Sequence, residues 1–146
     1  MDSERAGELR ASLQLQAHPE GGWYREVYRS ESLTTIYFML AQGERSRWHR
    51  LESDEVWHFY EGDPLELSLF DPVKGEAKRV VISSPLLAGD AVCVVPAGWW
   101  QAAIPLGVYS LVGCSVAPAF EFSKFTLIRP ELPEYDALLE IDKRFV

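Results

Sequence analysis

Length, composition and charge indicate one ordinary globular domain and exclude two classes of partner. The chain has 146 residues, enough for a substantial core, and 47% of them are hydrophobic. Its net charge of −8 argues against nucleic acid, whose binding depends on basic contacts to phosphate. No apolar run approaches the roughly 18 residues of a membrane-spanning helix, and the start "MDSERAGELR" is charged, unlike a signal peptide. We therefore expect a cytoplasmic protein that binds neither nucleic acid nor a membrane.

The N-terminal residues predict a helix, a turn and a strand. Residues 3–15, "SERAGELRASLQL", carry apolar side chains at helical spacing. "HPEGG" at 18–22 contains a Pro and two glycines, which predict a turn. "WYREVYRS" at 23–30 alternates with a period of two, as a strand does, and places Tyr24 and Glu26 on the same side.

Most of the remaining chain consists of strand-like segments. Turn signals rich in Gly, Pro and Asp separate them, among them "AGD" at 88–90. Short strands at this spacing favour an antiparallel sandwich or barrel over alternating α/β units. A helix is predicted near the C terminus, over 133–145. The predicted strands after the first are 34–41, 56–60, 64–71, 77–83, 90–96, 100–105 and 108–118.

The two cysteines, Cys93 and Cys114, lie in separate strand-like segments and form no CxxC motif. Neither has a basic neighbour in the sequence of the kind that activates a thiol. We expect both to be reduced and to pack as small hydrophobic side chains.

Two glycine-bounded segments have a spacing that is specific to one superfamily. In the first, a glycine is followed after five residues by His49, and Glu55 lies six positions later. In the second, Gly89 leads through "DAVCVV" to "PAG" at 96–98, and Gln101 follows after two intervening residues. This combination resembles the two signature motifs of the cupin superfamily. The resemblance implies an all-β, cupin-type double-stranded β-helix, or jelly-roll barrel, with a short helix near each terminus.

Longer stretches resemble a particular branch of small cupins, over about residues 8 to 128. They are "HPEGGWYREVYRS", "SDEVWHFYEGDPLEL", "VVPAGWWQA" and "YSLVGCSVAPAFEFSKF". Members of this branch are single-domain proteins, labelled predicted sugar epimerases by analogy. We therefore expect one cupin domain over residues 1–146, with its barrel core at about 22–128. The fold follows from the resemblance, whereas the chemistry depends on the site.

The family motifs, carried over position by position, give an incomplete set of metal ligands. His49 matches the first His and Glu55 matches the Glu of the first motif. Leu51 stands where the second His belongs, and Gln101 stands where the third His belongs. A leucine has no lone pair, and an amide oxygen is a poor ligand for a transition metal. We therefore expect no tightly bound metal cofactor; weak binding of a divalent metal by His49, Glu55 and Gln101 is the alternative.

Further residues are candidates for ligand contacts inside the barrel. Gln101 is a neutral donor and acceptor for a ligand hydroxyl or carbonyl, and Trp57 and Phe59 share the parity of Glu55 in their strand. Tyr24 and Glu26 join the pocket if their strand closes over the barrel mouth; otherwise they belong to a mixed edge strand. His58 falls on the opposite side from Glu55 by alternation, so a packed or interfacial histidine is the alternative to a ligand-binding one. His18 is interpreted as part of the turn.

The preferred hypothesis is a metal-independent epimerase or isomerase for a small polar, carbohydrate or sugar-nucleotide-like substrate. His49 and Glu55 would share acid and base roles. Two other classes stay open: a metal-dependent cupin enzyme, and a protein that binds a metabolite without catalysis. A homodimer is also expected, because residues 23–41 and 108–118 are apolar on both faces of their strands.

Overall fold

A computed structural model describes residues 2–87 and 89–146 as a sandwich of two antiparallel sheets with a short helix near each end. The helices are α1 (Asp2–Ser12) and α2 (Tyr135–Ile141). Short 3-10 helices cover Pro85–Leu87, Phe122–Lys124 and Lys143–Phe145. The strands are β1 (Gln16–Ala17), β2 (Trp23–Arg29), β3 (Thr34–Ala41), β4 (Ser46–Leu51), β5 (Asp54–Gly62), β6 (Leu65–Asp71), β7 (Glu76–Ile82), β8 (Val92–Val95), β9 (Trp100–Pro105), β10 (Tyr109–Ala117) and β11 (Phe125–Leu127). The predicted all-β jelly roll is confirmed.

The order of strands brings the two halves of the first motif into different sheets. One sheet has the order β1-β2-β3-β10-β5-β8 and the other has the order β11-β4-β9-β6-β7. In the five-stranded sheet, His49 on β4 pairs in register with Gln101 on β9. In the six-stranded sheet, Glu55 on β5 pairs with Val95 on β8 and Val116 on β10. The space between the sheets is therefore lined from both sides by motif residues.

An apolar core fills most of that space. Phe38, Trp57 and Leu67, for example, are at most 1% exposed. Burying side chains of this size stabilises the fold by about 1.5–3 kcal/mol each before entropy is counted. On the outer face of the five-stranded sheet, a second cluster is covered by the C-terminal residues, including Leu138 and Phe145. Helix α1 packs beside Met39, Tyr109 and Leu111 through Ala6 and Leu9.

Both predicted helices are shorter than expected, and three strands were not predicted. Helix α1 ends at Ser12 instead of residue 15, because Gln14 adopts a left-handed conformation with φ of 55°. Helix α2 ends at Ile141, because Asp142 is extended and accepts a hydrogen bond from the backbone N–H of Arg144. The unpredicted strands are β1, β4 and β11.

The predicted turn at 88–90 includes residue 88, which lies outside the described residues. In the parts of the chain that the structure describes, no helix is long and apolar enough to span a membrane.

Candidate functional site

A small cavity opens between the two sheets at one end of the sandwich. Its volume is about 30 Å³, room for about two water molecules. Polar residues from the turn before β2, from β4 and from β5 face apolar residues of β3 and β10. The lining residues are His18, Glu20, Thr34, Ile36, His49, Leu51, Glu55, Cys114, Val116, Phe120 and Phe125.

Glu20 and His49 form a buried ion pair on one side of this cavity. His49 Nε2 lies 2.7 Å from Glu20 Oε2, and its Nδ1 donates to the carbonyl oxygen of Arg47 at 2.7 Å. Burial alone would lower the pKa of His49, but the charge and hydrogen bond of Glu20 outweigh it and raise that pKa above its ordinary value. Burial alone would likewise raise the pKa of Glu20, but His49 lowers it. Glu20 is thus a carboxylate and His49 an imidazolium.

The turn at residues 18–22 places the Glu20 carboxylate beside β4. The carbonyl oxygen of Glu20 accepts a hydrogen bond from Arg47 N–H at 2.7 Å, and Ser46 Oγ donates to Glu20 Oε2 at 2.7 Å. Gly21 makes this approach possible: its φ is +111°, and a Cβ there would collide with the carbonyl oxygen of Arg45. The glycine thus allows the turn to pack directly on the start of β4.

Glu55 lies on the other side of the cavity, where its hydrogen-bond partner is a neutral amide. Gln101 Nε2 donates to Glu55 Oε1 at 2.8 Å, and the Gln101 oxygen accepts from Trp57 Nε1 at 2.9 Å. Burial raises the pKa of Glu55 to about 7, against the lowering effect of the His49 charge. Near neutral pH Glu55 is therefore divided between acid and carboxylate.

His18 and Cys114 add two neutral groups to the cavity. His18 Nδ1 accepts a hydrogen bond from Glu20 N–H at 3.1 Å, and burial lowers the pKa of His18. Although His18 Nδ1 also lies 3.4 Å from Glu20 Oε1, the accepted N–H marks this nitrogen as unprotonated. The hydrogen of His18 then sits on Nε2. Burial, reinforced by the charge of Glu55, raises the pKa of the Cys114 thiol well above its usual range, so Cys114 is a neutral thiol.

Three phenylalanines cover the mouth of the cavity: Phe120 and Phe122 lie between β10 and β11, and Phe125 is the first residue of β11. The Phe120 and Phe122 rings lie 4.8 Å apart, and Phe125 lies within 6.0 Å of both. Phe125 also packs against His49, with ring centroids 5.6 Å apart, and Phe122 lies 6.2 Å from His18. We call Phe120, Phe122 and Phe125 the aromatic cover. It separates the ionisable groups from solvent.

The donor atoms of the cavity do not fit a transition-metal site. Both nitrogens of His49 are engaged, and both ends of the Gln101 amide are used by Trp57 and Glu55. Among the described residues, no group of three or more His, Cys, Asp or Glu side chains is arranged to hold a metal ion. A metal would need three or four ligand atoms free to point at one centre.

The structure brings together some of the residues predicted from the motifs and separates others. His49 and Glu55 line the cavity, and Gln101 stands behind Glu55 as its hydrogen-bond donor. Trp57 is 1% exposed and belongs to the core, where its indole bonds Gln101 instead of forming a cavity wall. Phe59 packs against the same core. Trp57 and Phe59 lie on the same side of β5 as Glu55, as predicted, but they lie deeper between the sheets than the cavity.

The residues predicted from β2 and the end of β5 lie beside the cavity or away from it. The Tyr24 ring packs against His18, with centroids 4.6 Å apart, but does not line the cavity. Glu26 lies at the surface in an ion pair with Arg29 at 2.7 Å. His58 pairs with Gly113 and Val92 and falls on the outer face of the six-stranded sheet, as alternation predicted.

Sequence reasoning missed Glu20 and underestimated His18. Both stand in "HPEGG", where the Pro and glycines indicated a turn, and nothing local shows that this turn packs against β4. One signal was present, because this pentapeptide belongs to the resembling stretches and contains two ionisable residues. The aromatic cover and Cys114 were likewise inside a resembling stretch without being assigned to the site.

Comparisons with known proteins agree with this fold. A family model described as "Cupin superfamily (DUF985)" matches residues 8–128. A protein from Shewanella oneidensis is 34% identical, with 96% of each chain covered and a TM-score of 0.86. A hypothetical protein from Leishmania major is 30% identical, with 95% of this chain and 93% of that one covered and a TM-score of 0.80.

A more distant structure shares the fold alone. An oxalate decarboxylase from Bacillus subtilis is 16% identical, with 86% of this chain but 34% of that one covered and a TM-score of 0.65. No curated protein matches. Two solved structures match this chain along nearly their whole length. The family model covers most of the chain, which therefore belongs to the DUF985 family of the cupin superfamily.

Proposed function

We propose that this cupin is a metal-independent acid–base enzyme, an epimerase or isomerase, for a small uncharged polar substrate of the carbohydrate type. One observation carries the proposal: two glutamates with opposite proton preferences meet in one closed cavity. Glu20 is ionised beside His49, and Glu55 has a pKa of about 7. Carboxyl groups whose surroundings separate their pKa values in this way are typical of acid–base catalysis.

The groups of the cavity can divide the steps of proton transfer beside a carbonyl. The Glu55 carboxylate takes the proton from the carbon next to the carbonyl, and the C–H electron pair moves into the enolate. His18 carries its hydrogen on Nε2, so it can donate to the carbonyl oxygen, while the charge of His49 favours the developing anion. Glu55 then returns the proton to the former carbonyl carbon. His18 Nε2 gives its hydrogen to the former carbonyl oxygen and takes the hydroxyl hydrogen from the carbon that Glu55 deprotonated, so that this carbon becomes the new carbonyl and the isomerisation is complete. Epimerisation needs a second proton donor on the opposite side of the carbon.

The charges of the residues that line the cavity restrict the class of substrate. Among the described lining residues there is no Lys or Arg, and the one cation, His49, is already paired with Glu20. A phosphate or carboxylate would therefore face two glutamates without a cationic partner, which is costly in a buried site. We accordingly propose an unphosphorylated substrate instead of a sugar nucleotide.

The small volume of the cavity implies that the aromatic cover moves when substrate enters. A cavity of about 30 Å³ cannot hold a sugar-sized molecule. Phe122 is 53% exposed, and the cover is joined to β3 by the Phe120 N–H bond to Thr34 Oγ1. Displacing Phe120 and Phe122 would open the cavity while leaving Phe125 and the pairing of β11 with β4 in place.

Hydrogen exchange from solvent tests the proposed chemistry. The protein is incubated in D₂O with a panel of unphosphorylated aldoses and ketoses and with their phosphate esters, and loss of the proton beside the carbonyl is followed by NMR. We expect exchange with at least one unphosphorylated sugar, reduced roughly 100- to 10,000-fold in Glu55→Gln. Glu76→Gln, at an exposed site, should exchange like the wild type. Absence of exchange across the panel contradicts the proposal, and exchange of phosphate esters alone contradicts the substrate class.

We also propose that a second copy covers the outer face of the six-stranded sheet. Tyr60, Val92 and Val94 are 50–55% exposed on this face, whereas the C-terminal residues cover the corresponding face of the other sheet. Light scattering should give twice the 16.6 kDa monomer mass. Val94→Glu should shift the mass towards the monomer, and Val73→Glu, at an exposed turn, should not. A wild-type monomer at micromolar concentration would contradict the proposal.

A further inference from the structure

Trp57 contacts the site through its indole nitrogen, although its ring belongs to the core. The residue is 1% exposed, and its Nε1 lies 2.9 Å from Gln101 Oε1. An indole N–H can only donate, so the Gln101 amide must present its oxygen to Trp57. The amide nitrogen is thereby directed to the opposite side, where Glu55 lies.

The same orientation distinguishes the two oxygens of Glu55. Gln101 Nε2 donates to Glu55 Oε1 at 2.8 Å, and both residues are buried, at 1% and 6% exposure. In a neutral carboxyl group the carbonyl oxygen is the better acceptor, so Oε1 is the carbonyl oxygen and Oε2 carries the proton. Two buried hydrogen bonds in series thus select one of the two positions for the proton.

We propose that Trp57 is a positioning residue that acts through Gln101 to hold the Glu55 proton on Oε2 and to support the Glu55 carboxylate with a donated hydrogen bond. The inference rests on the proposed function only in giving Glu55 a catalytic role. The position of the proton is a property of the resting protein and can be measured without substrate.

Loss of the indole has a definite consequence for Glu55. In Trp57→Phe the Gln101 amide is free to rotate and to turn its oxygen towards Glu55. That oxygen accepts from the protonated acid and repels the carboxylate, so the neutral form of Glu55 gains. The other ionisable groups that act on Glu55 are retained in the variant: His49 on β4, Glu20 in the turn and Cys114 on β10.

The chain offers a matched control in another buried tryptophan. Trp48 is 0% exposed, and its Nε1 donates to the carbonyl oxygen of Asp142 at 3.2 Å, within the cluster covered by the C-terminal residues. Trp48→Phe removes the same type of bond from a different cluster. General loosening of the fold should therefore affect both variants, whereas repositioning of Gln101 should affect one.

The test follows the Glu55 carboxyl carbon by NMR against pH in protein labelled at glutamate, with Glu55→Gln identifying the signal. Trp57→Phe should raise the apparent pKa of Glu55 by about one pH unit, and Trp48→Phe should leave it unchanged. Gln101→Met should raise it as well, and adding Trp57→Phe to Gln101→Met should change nothing further.

Two results would overturn the role of Trp57: an unchanged Glu55 titration in Trp57→Phe, or an equal change in Trp48→Phe. If Trp57→Phe does not fold, Gln101→Met alone decides, because an unshifted titration there removes the link to Glu55. Each of these outcomes is independent of whether a sugar is turned over, so failure here and failure of the proposed function can be told apart.

Discussion

Each side of the cavity buries one glutamate to the same degree, but the pKa values of the two glutamates shift in opposite directions. Glu20 and Glu55 are each 6% exposed. Glu20 has a cationic partner and a hydroxyl donor, namely His49 and Ser46, and its pKa falls. Glu55 has the neutral Gln101 amide as its hydrogen-bond donor, and its pKa rises to about 7. Burial by itself raises the pKa of a carboxyl group, so the partner decides the outcome.

This difference suits the Glu20–His49 pair to a structural role and Glu55 to the proposed chemical one. The Glu20–His49 pair ties the turn at 18–22 to β4 and stabilises the fold while both groups are charged. Glu55 has no such partner, so its ionisation destabilises the folded state. A protein that keeps an ionisable group at this cost usually does so for function, since active sites are where burial shifts pKa values. The variants below remove each side in turn.

Removal of the Glu20 charge should have the largest effect. Glu20→Gln leaves the His49 imidazolium buried without a counter-charge, which typically costs about 3–5 kcal/mol. Since the pKa of His49 is raised above its ordinary 6.5, its contribution is complete below pH 6.5 and is lost as the pH rises through the folded value. We therefore expect the largest loss near pH 6 in urea unfolding.

An exposed pair provides the control for Glu20→Gln. Glu26 and Arg29 lie 2.7 Å apart, but their side chains are 38% and 47% exposed. Glu26→Gln should change the free energy of unfolding by about 0–1 kcal/mol. If Glu20→Gln cost no more than Glu26→Gln, the buried pair would not be charged.

Neutralising Glu55 should have the opposite sign. The pKa of Glu55 is about 7 in the folded state against an ordinary 4.5, so the folded state binds more protons between these values. Stability is then lost as the pH rises through this window, by roughly 3 kcal/mol in total. Glu55→Gln should recover up to that amount at pH 8 and nothing below pH 4.5. Glu76→Gln, at an exposed site, should leave the free energy of unfolding unchanged at both pH values. A destabilised Glu55→Gln at pH 8 would refute this description of the site.

The fold could be predicted from the sequence because its signals are local or motif-based. Strand β3 was predicted with its observed bounds, since "TTIYFMLA" is a continuous β-branched and aromatic run between turn signals. Strand β4 was missed because the apolar residues of "SRWHRL" are only Trp48 and Leu51, three positions apart, which gives neither a period of two nor an apolar run. The predicted end of helix α1 was three residues too late, because the apolar spacing continues past the left-handed Gln14.

Half of the site could be predicted and half could not. His49 and Glu55 occupy motif positions, so their shared cavity follows from the superfamily pattern. Glu20 lies 29 positions before His49, and its place depends on how a turn packs against a strand. No periodicity reports such a contact. The same limit applied to Trp57, whose side was predictable by alternation although its hydrogen bond to Gln101 was not.

Restoring the missing histidines should convert the Glu55 side into a metal site. Leu51→His with Gln101→His places imidazoles at both positions where the superfamily pattern has them and frees Glu55 from the Gln101 amide. We expect affinity for Zn²⁺ or Mn²⁺ to rise roughly 100-fold or more, with release of a proton from Glu55 below pH 7. Calorimetry in buffers of different ionisation enthalpy measures both. Equal metal affinity in the wild type and the double variant would mean that the present residues already suffice.

Trimming the aromatic cover should produce the smallest change and the finest test of the comparison. Phe122 is 53% exposed, so Phe122→Ala should lower the free energy of unfolding by about 1 kcal/mol or less. Its loss admits water, and since burial is the main cause of the raised pKa of Glu55, that pKa should fall by a fraction of a pH unit. Glu20 should keep its ionised state, because His49 and Ser46 remain in place. Carboxyl NMR titration distinguishes the two residues, with Val73→Ala at an exposed turn as the control. An unchanged Glu55 titration would show that the aromatic cover does not keep water from this side of the cavity.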